Sequence, residues 1–133
     1  MTLSQYSANG QAKLTKKPMA ISDHVLKNGD IVVVPFPYSD RLSEKRRPAL
    51  VISATAFNQR HGLVWVAMIT SAENNSWTDD IDLPLAKTGL NTASVVRIAK
   101  ITTIESNRIV RKIGNVEKAT SAKISAAIGK LLA

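Results

Sequence analysis

Apolar residues in this chain gather into short blocks, separated by polar segments that carry glycine or proline. That rhythm suits strands better than long helices. The first block, GDIVVVPFPY at residues 29–38, opens on a turn-type Gly29-Asp30 pair and runs on as β-branched residues. Asp30 to Pro35 is expected to form a strand buried on both faces. Pro35 and Pro37 have no amide N–H to give to a ladder, so central pairing should stop near them. Ser39 to Arg46 is polar and charged and reads as a loop. Pro48 to Ser53, PALVIS, reads as a second strand with proline at its tolerated first position. Thr55 to Gly62 fits a helical turn closed by Gly62. Leu63 to Thr70, LVWVAMIT, is the most apolar block and a third strand, with Trp65 expected in the core.

Beyond a polar loop from Ser71 to Thr78, the segment DIDLPL from Asp80 to Leu85 alternates polar and apolar, as a half-exposed strand would. A turn around Gly89 follows. Ala93 to Ile104 is then a long fifth strand. Strict alternation sends Val95, Arg97, Ala99 and Ile101 one way, and Val96, Ile98 and Lys100 the other. Arg108 to Val116, RIVRKIGNV, fits a short strand or a helical turn. Glu117 to Leu132 is helical, with Ile124, Ala127, Ile128 and Leu131 spaced to form one apolar stripe. Many short strands and one closing helix predict a mainly β fold with helices (α+β), built as a small, strongly bent sheet or barrel.

The length of 133 residues is that of one domain able to bury its own core. Residues 1–25 are polar and rich in Ser, Asn, Gly, Gln and Lys; they read as a flexible lead-in to a domain at 26–133. The N-terminus lacks a secretory pattern, and no apolar run reaches the roughly 20 residues of a membrane span. The expected setting is cytoplasmic, away from membranes. Cysteine is absent, so disulfides, thiolate metal sites and cysteine nucleophiles are excluded together. His24 and His61 share no metal-ligand spacing, and neither a metal nor a cofactor is expected. A net charge of +8 favours a polyanionic partner: nucleic acid first, an acidic protein as well.

Five groups of residues could carry chemistry. Lys45, Arg46 and Arg47 stand together at the lip of a core strand, where guanidinium groups can meet phosphate oxygens from a fixed backbone; the plain alternative is a solvated loop. Thr70 and Ser71 place hydroxyls at the end of the third strand, either at a binding site or merely satisfying backbone groups. His61 and His24 are candidates for a general base, but each reads better as exposed and uninvolved. Asp79, Asp80 and Asp82 read as a solubilising face in preference to an acid pair. Tyr38 and Trp77 lie in loops from which they could stack on bases.

Taken in order, GDIVVVPFPYSD, KRRPALVIS, MITS and SVVRIAKITTIESNRIVRKIGNV, followed by a last helix, resemble the PemK/MazF family of toxin ribonucleases from about Gly29 to Leu132. The resemblance implies a small SH3-like β barrel of five to seven strands with a C-terminal helix packed on it, and a homodimer. It also implies metal-independent, sequence-specific cleavage of single-stranded RNA to a 2′,3′-cyclic phosphate and a 5′-hydroxyl. A cognate antitoxin with an acidic, flexible tail would be the protein partner. The family's key Arg before the strand-opening Pro falls on Arg47, and its Thr at the next strand end on Thr70. Lys45, Arg46, Ser71 and Tyr38 become the expected RNA-binding residues. The loop SDRLSEKR is poorer in glycine than that of many relatives. A non-catalytic SH3-like binding module and a gyrase-directed toxin of related fold are the alternatives.

Overall fold

A computed structural model describes residues 25–36 and 45–133. The expected lead-in, apart from Val25, and the loop carrying Tyr38 lie outside the described residues. The elements are β1 (Asp30–Phe36), β2 (Lys45–Val51), α1 (Thr55–His61), β3 (Leu63–Ser71), β4 (Ile81–Leu83), β5 (Ser94–Glu105), a 3-10 turn (Ser106–Arg108), β6 (Arg111–Asn115) and α2 (Lys118–Leu132). The strands form one six-stranded antiparallel sheet in the order β4-β5-β3-β2-β1-β6. It curls into a half-barrel, in keeping with the mainly β fold expected. RIVRKIGNV resolves into the end of the 3-10 turn and the edge strand β6. Among the described residues no helix is long and apolar enough to cross a membrane.

Every residue of β1 is buried, because apolar material covers both faces of the sheet. Val32, Val34 and Phe36 join Ala49, Val51, Val64, Val66 and Met68 in one cluster, closed by Leu26, Ile104 and Ile109. Ile31 joins Leu50, Ala67, Ile69, Val96 and Ile98 in the other, where α2 supplies Ile124. Ala127 and Ile128 flank Ile124, so the predicted stripe is the docking face of α2; Leu131 at its far end is 47% exposed. Full burial of a side chain such as Ile124 contributes about 1.5–3 kcal/mol.

Some local expectations change. The second strand begins at Lys45 instead of Pro48, because Lys45, Arg46 and Arg47 pair with Phe36, Pro35 and Val34 of β1. Trp65 is 45% exposed instead of buried. Alternation in β3 turns Val64 and Val66 inward and Trp65 outward, where its ring packs against Phe57 of α1 at a centroid distance of 4.8 Å. In β5, Arg97 pairs with Met68 while Ile101 pairs with Ala67, so residues 98–100 have no partner opposite them in β3. This bulge bends the strand and breaks the predicted alternation. Residues 95–98 are all buried, whereas Ala99 and Ile101 are exposed. Helix α1 is secured by a polar contact that the sequence does not advertise. Asn58, nearly fully buried, donates to the Leu26 carbonyl at 2.8 Å and accepts from the Ser53 hydroxyl.

Candidate active site

The site begins with a proline. On its β1 side, β2 is paired from Lys45 opposite Phe36 to Leu50 opposite Ile31. On its β3 side only Ala49, Leu50 and Val51 are paired, opposite Met68, Ala67 and Val66. Pro48 has no N–H, and the β2–β3 ladder ends beside it. Past Met68, β3 continues against β5 alone, through Ile69, Thr70 and Ser71. A seam therefore opens between the first half of β2 and the last residues of β3. Extending the ladder by two residues sets Arg47 across from Thr70, on the same side of the sheet.

A cavity of about 600 Å³ occupies this seam. Its lining includes Arg46, Arg47, Thr70, Ser71 and Asn74, and also Leu90, Asn91, Thr92 and Arg111. Consecutive residues of a strand point to opposite faces, so a cavity touching both Arg46 and Arg47 must wrap around a strand end. Three arginines and no carboxylate appear among the described lining residues, so the local field favours an anion. A second cavity, between β4 and α2, mixes Asp79 and Asp80 with Lys123 and Lys130 and has no such bias.

Arg47 is half-buried and Thr70 nearly fully buried. The Asn74 amide donates to the Thr70 hydroxyl oxygen at 2.6 Å. With that lone pair engaged, the hydroxyl proton of Thr70 is free to be donated elsewhere. The Ser71 hydroxyl accepts from the Glu73 amide at 3.2 Å and so also shapes the turn. Of the other residues predicted for the site, Arg46 lines the cavity, while Lys45 is exposed at the start of β2 and does not line it. Tyr38 and His24 fall outside the described residues. His61 is exposed on α1 and packs on Phe57, at a ring distance of 4.7 Å.

The loop bearing Asn74 is anchored by a buried ion pair. Ile81 pairs with Val96, and one residue further the register sets Asp80 against Arg97. The Arg97 guanidinium meets both Asp80 carboxylate oxygens, at 3.1 and 3.0 Å, and donates to the Asn75 carbonyl at 2.6 Å. Both side chains are over nine-tenths buried. Trp77 covers the guanidinium, its ring centroid 4.3 Å away, and its backbone N–H donates to Asp80. Hydrogen bonding from Arg97 holds the Asp80 carboxyl below its ordinary range; burial works against this, and the Trp77 N–H and the Arg97 charge add to it. Asp80 is thus no part of a solubilising face, and Trp77 is engaged by Arg97.

The loop bearing Gly89 is equally fixed. Thr88, almost wholly buried, donates to the Leu85 carbonyl at 2.8 Å and accepts from the Leu90 amide at 3.2 Å. Gly89 and Gly114 interlock: a methyl group on Gly89 would strike the Ile113 carbonyl, and one on Gly114 the Thr88 carbonyl. No larger residue lets the loop lie so close to β6. Asn74 and Arg111 are among the lining residues that sequence reasoning missed, as are Leu90, Asn91 and Thr92. The only signal for Arg111 was its place in the apolar-polar run RIVRKIGNV, and Asn74 had none.

Comparison with known proteins places the chain in a family. A family model for the PemK-like, MazF-like toxin of type II toxin–antitoxin systems matches residues 27–132. The structure resembles crystalline MazF of Deinococcus radiodurans, with 26% identity, a TM-score of 0.66, and coverage of 83% of this chain and 98% of that one. It also resembles a MazE–MazF complex from the same organism, with 25% identity, a TM-score of 0.66, and coverage of 82% and 97%. A mycobacterial endoribonuclease in complex with its cognate antitoxin shares the fold at 20% identity and a TM-score of 0.66, with coverage of 80% and 94%. No curated protein matches the chain significantly. With the family model matched across most of its length, residues 27–132, the chain belongs to the PemK-like, MazF-like toxins of type II toxin–antitoxin systems.

Proposed function

We propose that the protein is a metal-independent endoribonuclease that cuts single-stranded RNA within the seam cavity. One observation carries this reading: Arg47 and Thr70, the residues matched to the family's key pair, both line a cavity with three guanidinium groups and no carboxylate among its described lining residues. In the reaction the ribose 2′-oxygen bonds to the adjacent phosphorus and the bond from phosphorus to the 5′-oxygen breaks. The 2′-hydroxyl gives up its proton and the leaving 5′-oxygen gains one, so the products are a 2′,3′-cyclic phosphate and a 5′-hydroxyl. Negative charge grows on the phosphoryl oxygens during attack. Arg47 stabilises it from a strand that need not reorganise. It acts through its positive charge and its planar fork of hydrogen-bond donors. Thr70 donates its hydroxyl proton toward the substrate, because Asn74 already occupies its acceptor side. Arg46 holds a flanking phosphate, and Ser71 adds a hydroxyl at the rim.

Incubation of the purified protein with long RNA in EDTA should give discrete fragments ending in 2′,3′-cyclic phosphate and 5′-hydroxyl groups. Intact RNA under these conditions would leave a binding module as the better account. Supercoiling assays with gyrase check the other alternative, and the nuclease reading expects no effect there. Asn74→Asp should lower kcat more than Asn74→Ala. A carboxylate accepts where the amide donates, so it draws the Thr70 proton away from the substrate. Equal losses in the two variants would show that the contact does not orient Thr70.

The reading includes a cognate antitoxin with an acidic tail, drawn to the same cations, and a homodimer in solution. Co-purification with the product of a neighbouring acidic reading frame and light scattering are the respective checks. A monomeric mass would remove the dimer.

A further inference from the structure

Arg111 opens β6, the edge strand, two strands away from β2. Val33 of β1 lies between them, paired with Pro48 on one side and Arg111 on the other. Residues directly opposite share a face, so Pro48, Val33 and Arg111 form one row. At ordinary strand spacing its ends are about 10 Å apart. Arg46, two residues before Pro48, projects on that face as well. Val33 is the apolar floor between the cations, and all four residues line the seam cavity. Among the described residues Arg111 is exposed and makes no ion pair, whereas its neighbour Lys112 is tied to Asp30 at 3.2 Å. The interlocked loop that bears Gly89 seats directly against Ile113, beside Arg111, so this end of the cavity has a rigid wall.

One phosphate at Arg47 does not need a cation two strands away. A polyanion that continues past the cleaved bond does. We propose that Arg111 forms a second phosphate subsite, for a backbone phosphate flanking the one that is cleaved. The bound RNA then runs across the strands, from the β2–β3 seam over β1 to β6. This rests on the nuclease reading and specifies how its substrate lies. A contact to a remote phosphate is made equally before and during reaction, so it acts on binding and not on the chemical step.

The test uses a non-cleavable single-stranded 2′-O-methyl oligomer carrying the cleavage sequence mapped on total RNA, with affinity followed across salt concentration. Arg111→Gln should weaken binding about fivefold at 0.1 M salt and reduce the slope of log affinity against log salt by roughly 0.7, the value of one phosphate contact on a single strand. Arg60→Gln on exposed α1 removes the same charge away from the cavity and should leave the slope unchanged. Replacing the flanking phosphate by a neutral methylphosphonate should abolish the difference between Arg111→Gln and the unaltered protein. On cleavable RNA, Arg111→Gln should raise KM and leave kcat within about twofold. An unchanged salt slope in Arg111→Gln overturns the subsite while sparing the nuclease. Unchanged RNA binding with weakened binding of a glutamate-rich peptide overturns it too, and assigns Arg111 to a protein partner. An unaltered protein that neither cuts nor binds RNA overturns both readings.

Discussion

Replacing Arg47 with alanine is expected to lower kcat for RNA cleavage by at least 10²–10³-fold, equivalent to about 2.7–4 kcal/mol, the usual effect of removing one preorganised group that meets developing charge. The melting temperature should barely move. Arg47 lies at the end of β2 where the ladder to β3 has already stopped, and it is only half-buried, so truncation opens no enclosed core cavity. Arg47→Lys separates charge from shape. A lysine keeps the cation but loses the planar fork that engages two phosphoryl oxygens together. Partial recovery by lysine would indicate a chiefly coulombic role; none would indicate that the fork geometry is needed. An Arg47→Ala protein that cleaves RNA at the unaltered rate would falsify the site assignment, and with it the mechanism built on Thr70.

Much of this arrangement is legible in the sequence where local chemistry dictates it. Pro48 marks, from its missing N–H alone, where pairing on one side of its strand stops, and so places Arg47 beside an open seam, although the strand itself already begins at Lys45. The run LVWVAMITS shows where β3 ends and so where Thr70 and Ser71 emerge. What is not legible depends on partners far along the chain. Trp65 looks like core by residue type, yet alternation against Val64 and Val66 sends it outward. Arg111 sits in a stretch that suits a strand or a turn, and only pairing with Val33, many residues earlier, makes it part of the cavity. Asp80 and Arg97 are separated by 17 residues and give no sign of meeting. The bulge in β5 follows from how β3 and β5 fit around two separate cores, which periodicity within β5 cannot express. Tyr38, which the sequence suggests for base stacking, lies outside the described residues.

The largest effect on stability is expected at Asp80, some distance from the chemistry. Asp80→Ala leaves Arg97 buried without its carboxylate, and loss of one member of such a pair costs about 3–5 kcal/mol. For a chain of this size that lowers the melting temperature by roughly 10 °C or more. Replacing both partners together, as in Asp80→Leu with Arg97→Met, should recover much of the loss, since no uncompensated charge then remains. The sign of the pH dependence follows from the carboxyl's depressed pKa. Its stabilising contribution is complete above the ordinary aspartate range near 3.9 and fades as pH falls toward the lower folded value. Acid unfolding of the unaltered protein should therefore be steeper below pH 4 than that of the doubly apolar variant. Because Arg97 also holds the Asn75 carbonyl, the same substitution loosens the loop whose Asn74 donates to Thr70. Asp80→Ala should then lower kcat below the melting transition as well, an effect absent if the ion pair only supports the sheet edge. Melting curves of the three variants, with cleavage rates taken well below each midpoint, separate support of the fold from support of the site.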